Sequence, residues 1–210
     1  MASIVIIGGT GYAGSAIATE AARRGHSVTA VSRSGDTPAE GIAGRAGNIQ
    51  DAELIDELAA DADILVVAVR AKGTGLPDVL HSLTAAAAKH GTRLGVVGGA
   101  GSLHVSEGGP RVVDQPEFPE LHKGEALAHA GVLDELRTAP AEVDWFYVSP
   151  AEVFGSYAPG EVTGQYRTGD DVLVRDAEGN SAISGPDYAK AFVDEIESPA
   201  HRRRRFTVAH

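Results

Sequence analysis

At 210 residues and 21.6 kDa the chain is long enough for one domain, with a core that takes about 70% of the unfolded surface out of water. Eighteen Lys and Arg against 29 Asp and Glu leave a net charge of −11, which argues against a general nucleic-acid or anionic-membrane surface. The absence of cysteine excludes a disulfide scaffold, thiolate metal sites and a cysteine nucleophile, and an apolar fraction of 43% excludes wholesale disorder.

In chain order, the apolar run Ser3–Ile7 reads as a strand and residues 12–24 as an amphipathic helix closed by Gly25. A second strand follows at Val28–Ser32. A third is expected within 40–49, where Gly41, Gly44 and Gly47 weaken its signal. Then come a helix over 51–60, a strand at Asp63–Val69, a helix over 77–90 ending at Gly91, and a strand at Leu94–Val97. A polar connection from Gly98 to about Glu120 leads to a helix over 122–137 and a sixth strand at Trp145–Ser149. The stretch 150–186 is irregular with strand pieces, before a helix at Asp187–Glu197 and a strand at Phe206–Val208.

The strands are continuously apolar rather than alternating, as strands covered on both faces of a parallel sheet are. The repeated βαβ order predicts a doubly wound α/β sheet, one domain over residues 1–210, with 150–186 as a small substrate-side lobe. Both long connections leave the carboxyl ends of strands, where open α/β sheets bind ligands. No strand-like apolar run outlasts Ile64–Val69, too short to span a bilayer. The segment Met1-Ala2-Ser3-Ile4 lacks a basic signal-peptide start, so a soluble cytoplasmic protein, monomer or homodimer, is expected. The run Arg202–Arg205 is expected to offset acidic surface or meet a subunit rather than to hold nucleic acid.

Directly after the first strand stands Gly8-Gly9-Thr10-Gly11-Tyr12-Ala13-Gly14, with a helix opening inside it. Strand, tight glycine turn and helix N-terminus together make a pyrophosphate cradle. Gly8 permits the turn, Gly11 lets backbone N–H groups approach the phosphates, and Gly14 lets the helix pack on the strand. The spacing G-x-x-G-x-x-G resembles the short-chain dehydrogenase/reductase superfamily in its extended and atypical branches. Val97-Gly98-Gly99-Ala100-Gly101-Ser102-Leu103, Trp145-Phe146-Tyr147-Val148-Ser149-Pro150 and Asp187-Tyr188-Ala189 resemble the NADH-flavin reductase group, akin to NmrA-like proteins and biliverdin reductase B. The resemblance runs from Ser3 to Val208 and implies an NAD(P)-binding Rossmann fold.

The second strand ends Val31-Ser32-Arg33-Ser34. An acidic residue there binds the adenosine 2′-hydroxyl of NAD, whereas an arginine accommodates the 2′-phosphate of NADP. NADP(H) is therefore favoured, although Asp36 leaves NAD(H) open. By family position, Asn48 and Ile49 flank the adenine, and Ala68, Val69 and Arg70 line ribose and diphosphate. Gly98 and Gly99 join them on the cofactor side, and Ser149 and Pro150 meet the nicotinamide amide.

Short-chain dehydrogenases pair a tyrosine with a lysine four residues on, for proton transfer to an alkoxide. None of the five tyrosines here has lysine at that offset. Carbonyl reduction therefore loses support, whereas hydride transfer to a flavin, quinone or other conjugated acceptor gives a resonance-stabilised anion that solvent can protonate. The remaining candidates are Ser102, Lys123 and His122 for chemistry, with Lys123 also reaching the cofactor from the helix face it is expected to share with Leu127 and Ala130. Glu152, Phe154 and Tyr166 are candidates for the substrate wall. A turn serine, a solvated lysine and ordinary packing explain several of these equally well. There is no G-x-S-x-G elbow, no H-E-x-x-H and no metal spacing. An alternative of another class is a non-catalytic NADP-binding redox sensor of the NmrA type.

Overall fold

The computed structural model describes residues 1–210. The elements are β1 (Ser3–Ile7), α1 (Tyr12–Arg23), β2 (Ser27–Ser32), β3 (Ala43–Ala46), α2 (Ala52–Ala60), β4 (Ile64–Val67) and α3 (Leu76–His90). They continue as β5 (Arg93–Val97), a 3-10 turn (Val112–Asp114), α4 (Glu120–Thr138), β6 (Trp145–Ser149), β7 (Arg167–Gly169), α5 (Gly185–Glu197) and β8 (Arg204–Ala209).

One eight-stranded sheet results, in the order β3-β2-β1-β4-β5-β6-β8-β7. Every pair is parallel except β7 against β8. The strand order reverses between β1 and β4, and in such sheets a crevice opens outside the carboxyl ends at that point. The expected weak strand is real: β3 lies at the edge, where low burial suits Ala43-Gly44-Arg45-Ala46. The expected strand Asp63–Val69 is shorter at its end, because Ala68 and Val69 already turn toward the crevice.

Successive strand residues point to opposite faces, so β1 feeds two cores. Ile4 and Ile6 pack with Ile17 of α1, Phe146, and Tyr188 and Phe192 of α5. Val5 and Ile7 pack with Ile55 and Leu58 of α2, Leu80 and Leu83 of α3, Leu133 of α4, and Trp145 and Tyr147. A third, small cluster of Leu103, Val112 and Leu173 ties the connection after β5 to the strand-poor stretch before α5.

The arginine run closes this arrangement from within. Arg202 and Arg204 pair with Asp144 and Asp170, and Arg203 donates to the carbonyls of Ala139, Pro140 and Val143 just past α4. Arg205 is buried against Asp171 and donates to the hydroxyls of Ser102 (3.1 Å) and Ser149 (3.3 Å). All four are engaged inside the subunit. No helix is long and apolar enough to cross a membrane.

Candidate functional site

The glycine turn is shaped by two backbone approaches. Gly8 has φ +85°, and a Cβ there would lie 2.5 Å from the Ala68 carbonyl oxygen. A Cβ on Gly14 would lie 2.2 Å from the Gly8 carbonyl oxygen, so Gly14 packs behind the turn rather than lining the cavity. Gly11, the N-cap of α1, offers no side chain to the helix's first N–H groups, which stay free for an anion.

A cavity of about 800 Å³ opens over this turn. It brings together Gly8, Thr10, Gly11, Tyr12 and Ala13 with Ser32 and Arg33, Asn48 and Ile49, and Ala68, Val69 and Arg70. Three cations line it, Arg33, Arg70 and Lys72, and no carboxylate does. In a chain of charge −11 that is a selective concentration of positive potential. Asp36 lies outside the cavity and accepts from the Ser34 hydroxyl at 2.5 Å.

A second cavity, of about 880 Å³, lies under the connections after β5 and β6. Gly98 and Gly99 belong to this one rather than to the first, together with Phe118, His122, Glu125, Pro150, Glu152, Tyr157 and Arg175. Glu152 is paired with Arg175 at 3.0 Å. Arg70, His129 and Phe154 line both cavities and form the wall between them. Phe154 is held there by ring contacts to Tyr12 (centroids 5.3 Å) and Tyr188 (4.5 Å).

Four predicted residues stand elsewhere. Ser102 and Ser149 line neither cavity, because both hydroxyls face Arg205. Tyr166 turns to α5 and donates to Asp194 at 2.6 Å; burial and that carboxylate push its phenol well up. Lys123 also lines neither cavity: its side chain is 45% exposed and sits 3.7 Å from Glu120. The expected helix face is off by about one residue, since Leu127 is exposed and the inward face of α4 runs through Ala126, His129, Ala130 and Leu133. His122 stays on the exposed rim.

Sequence reasoning missed the pair that this face presents. Glu125 accepts from the backbone N–H groups of Ala71 (2.7 Å) and Lys72 (3.0 Å), and lies 3.2 Å from His129 Nε2. Burial pushes the Glu125 carboxyl up, but the hydrogen bonds from His129, Ala71 and Lys72 outweigh it and hold the carboxyl below its ordinary range. Glu125 is thus an ionised acceptor beside Nε2 of His129. The other ring nitrogen, Nδ1, is buried without a partner. An unpaired buried group of this kind costs about 1–3 kcal/mol. The Tyr147 hydroxyl fixes the backbone beneath, donating to the His129 carbonyl (3.2 Å) and accepting from Gly99 N–H (3.1 Å). The i, i+4 spacing of a carboxylate and a histidine, beside the alanines of the inward face, is the signal that could have found them.

A family model described as NAD(P)H-binding matches residues 8–199. The chain belongs to that family. Within it the chain falls in an atypical short-chain dehydrogenase/reductase group, as the glycine loop implied. YwnB of Bacillus subtilis is 38% identical over 214 residues, spanning 98% of this chain and 97% of YwnB. A crystal structure from Burkholderia pseudomallei, provisionally named an exported protein, is 41% identical with a TM-score of 0.88, each chain covered in full. One from Streptococcus pneumoniae, provisionally named an NADH-flavin reductase, is 35% identical with a TM-score of 0.83 and the same full coverage.

Proposed function

We propose that this protein is an NADP(H)-dependent oxidoreductase that passes hydride to a flavin-like, quinone or other conjugated acceptor. The carrying observation is the pair of cavities with one shared wall. The first has the cations, glycine turn and free helix N-terminus that a dinucleotide's phosphates require, and the second is a space beside it that offers the rings of Phe118, Phe154 and Tyr157 together with charged side chains. The name of the Streptococcus relative supports the acceptor class.

In this reading the backbone of Gly8–Ala13 holds the pyrophosphate and Arg33 the 2′-phosphate. Asn48 and Ile49 bracket the adenine, and Ala68–Arg70 and Lys72 face ribose and diphosphate. The bound nicotinamide supplies the hydride. Phe154, Gly98, Gly99 and Pro150 set the plane in which a flat acceptor stacks and keep water from the reacting faces. A cytoplasmic setting belongs to this reading, and cell fractionation checks it against the Burkholderia relative's name.

The test is calorimetric titration with NADPH and NADH, followed by NADPH oxidation with FMN and a simple quinone. Tighter binding of NADPH with turnover of either acceptor supports the proposal. Binding without turnover of any conjugated acceptor would favour the redox-sensor alternative instead.

A further inference from the structure

We propose that α4 builds one side of the cofactor's phosphate site, with Gly124 and Glu125 as positioning residues that seat the Lys72 ammonium as an ionic clamp on the diphosphate; this rests on the dinucleotide reading above. The reasoning begins at the segment after β4. Residues 70–75 form a short strap beside the first cavity, and Arg70, Lys72 and Thr74 all line it. The Thr74 hydroxyl closes the strap on itself, donating to the Arg70 carbonyl (2.5 Å) and accepting from Leu76 N–H (3.3 Å).

Helix α4 holds this strap at two adjacent positions. Glu125 gives one carboxylate oxygen to Ala71 N–H and the other to Lys72 N–H, so the backbone under the lysine is fixed to the helix. Gly124 then leaves room for the side chain. A Cβ there would lie 2.8 Å from Lys72 Nζ, 3.2 Å from Cδ and 3.3 Å from Cε. Glycine is a poor residue inside a helix, yet α4 carries one directly before the carboxylate that anchors the strap. The other glycine of α4, Gly131, has open space where its Cβ would be.

The seated ammonium has no anionic partner in the protein. Glu125 is committed to the strap's backbone, and Glu120 lies beside Lys123. Arg70 has Glu125 at 3.9 Å, whereas Arg33, just past β2, is unpaired like Lys72. One cavity thus holds two unpaired cations on separate elements. A dinucleotide phosphate carries anionic groups in two places, the 2′-phosphate and the diphosphate. Helix α1, whose N-terminus meets the phosphates, packs on one face of the sheet and α4 on the other. Lys72 therefore grips the diphosphate from the α4 side, while Arg33 takes the 2′-phosphate. The diphosphate is common to both cofactors, so Lys72 serves NADPH and NADH alike and Arg33 tells them apart.

The experiment measures NADPH and NADH dissociation constants by calorimetry, and melting temperature, for the full chain. The variants are Lys72→Met, Gly124→Ala, Gly131→Ala, Glu125→Gln and the combination of Lys72→Met with Gly124→Ala. Lys72→Met is expected to weaken both cofactors equally, by about ten- to a hundredfold. Gly124→Ala is expected to raise the melting temperature, as alanine does in a helix, yet to weaken both cofactors by displacing the ammonium. Gly131→Ala is expected to stabilise in the same way with both affinities unchanged. In the combined variant Gly124→Ala adds no loss to that of Lys72→Met, because the two act through one contact. Glu125→Gln leaves one strap N–H without its acceptor, and is expected to speed amide hydrogen exchange at Ala71 and Lys72 and to weaken both cofactors. Lys72 is exposed, so Lys72→Met carries the test even if Gly124→Ala melts early. Lys72→Met with unchanged affinities, or with a loss confined to NADPH, overturns the proposal and leaves the dinucleotide reading standing. So does a folded Gly124→Ala or Glu125→Gln that binds both cofactors as the wild type does, or a Gly131→Ala that loses as much affinity as Gly124→Ala. A wild type that binds neither NADPH nor NADH overturns both.

Discussion

A guanidinium can grip a phosphate with two parallel charge-assisted donors, a contact no 2′-hydroxyl offers. Arg33 lines the first cavity with no carboxylate paired to it, and Asp36 is turned away. Arg33→Ala is therefore expected to weaken NADPH binding by about 1.5–3 kcal/mol while leaving NADH binding nearly unchanged, as calorimetry would read. Equal losses for both cofactors would remove Arg33 from the 2′-phosphate. Turnover speaks to the other candidates. Ser102→Ala, His122→Ala and Glu152→Gln are each expected to cost less than about tenfold, because these side chains are held by Arg205, exposed at the rim, or paired with Arg175. Lys123→Ala is expected to leave NADPH affinity unchanged, since the ammonium sits beside Glu120 on the surface. A thousandfold loss from any of these would place a proton donor at that residue and overturn protonation by solvent.

Among the elements, α1 with its turn gives the sharpest contrast. Gly11 has extended backbone, φ −75° and ψ 171°, and a Cβ there meets only the Gly8 carbonyl, at 3.3 Å, and that of Ala68 at 3.9 Å. Gly11→Val is expected to fold, by its circular dichroism and melting curve, yet to bind no NADPH. Gly14→Val has a 2.2 Å clash with backbone and is expected to lose stability outright. A folded Gly11→Val that binds NADPH normally would refute the phosphate role of the turn. These glycines were legible in the sequence because their spacing follows an apolar strand. The central strands were legible for the same reason: buried on both faces, they show as unbroken apolar runs. The face of α4 was misread because Leu127, an apolar residue, is exposed, whereas His129, a polar one, is buried. Glu125 and His129 were not legible because a carboxylate and a histidine at i, i+4 look the same in sequence on a solvated helix face as on an inward one. Arg205 looked like one of four surface arginines, since nothing local reveals that strand pairing would bring it to Ser102, Ser149 and Asp171.

For the molecule as a whole, acid is the stress to which the fold is built to yield. Asp187, on α5, is buried and accepts from Thr163 and Gly164 backbone N–H groups and from the Ser184 hydroxyl, with His210 Nε2 at 2.8 Å. Burial pushes its carboxyl up, but these contacts outweigh burial and hold it below its usual value of 3.8. Asp171 and Glu195 are lowered in the same sense, by Arg205 and by Arg93 with His201, against burial. Groups lowered on folding stabilise fully above their unfolded values and lose that contribution as pH falls through the folded ones. Melting temperature is thus expected to be level at neutral pH and to drop steeply below about pH 4.5. Asp187→Asn is expected to lower it by about 4–8 °C at pH 7, corresponding to about 2 kcal/mol, and to flatten part of the acid limb. An acid limb identical in variant and wild type would show that Asp187 is not among the groups responsible.

The clamp made by Arg205 also sets an order of events on the ribosome. Every residue lining the first cavity has been synthesised by Gly155, whereas the guanidinium that ties the connection after β5 to the end of β6 arrives 50 residues later. At about 5–20 residues per second that interval is roughly 3–10 s. During it the nascent chain carries every residue of the proposed dinucleotide site while the neighbouring space still lacks its tether. A nascent chain that takes up NADPH early would therefore hold its reductant before it has a finished place for anything to be reduced.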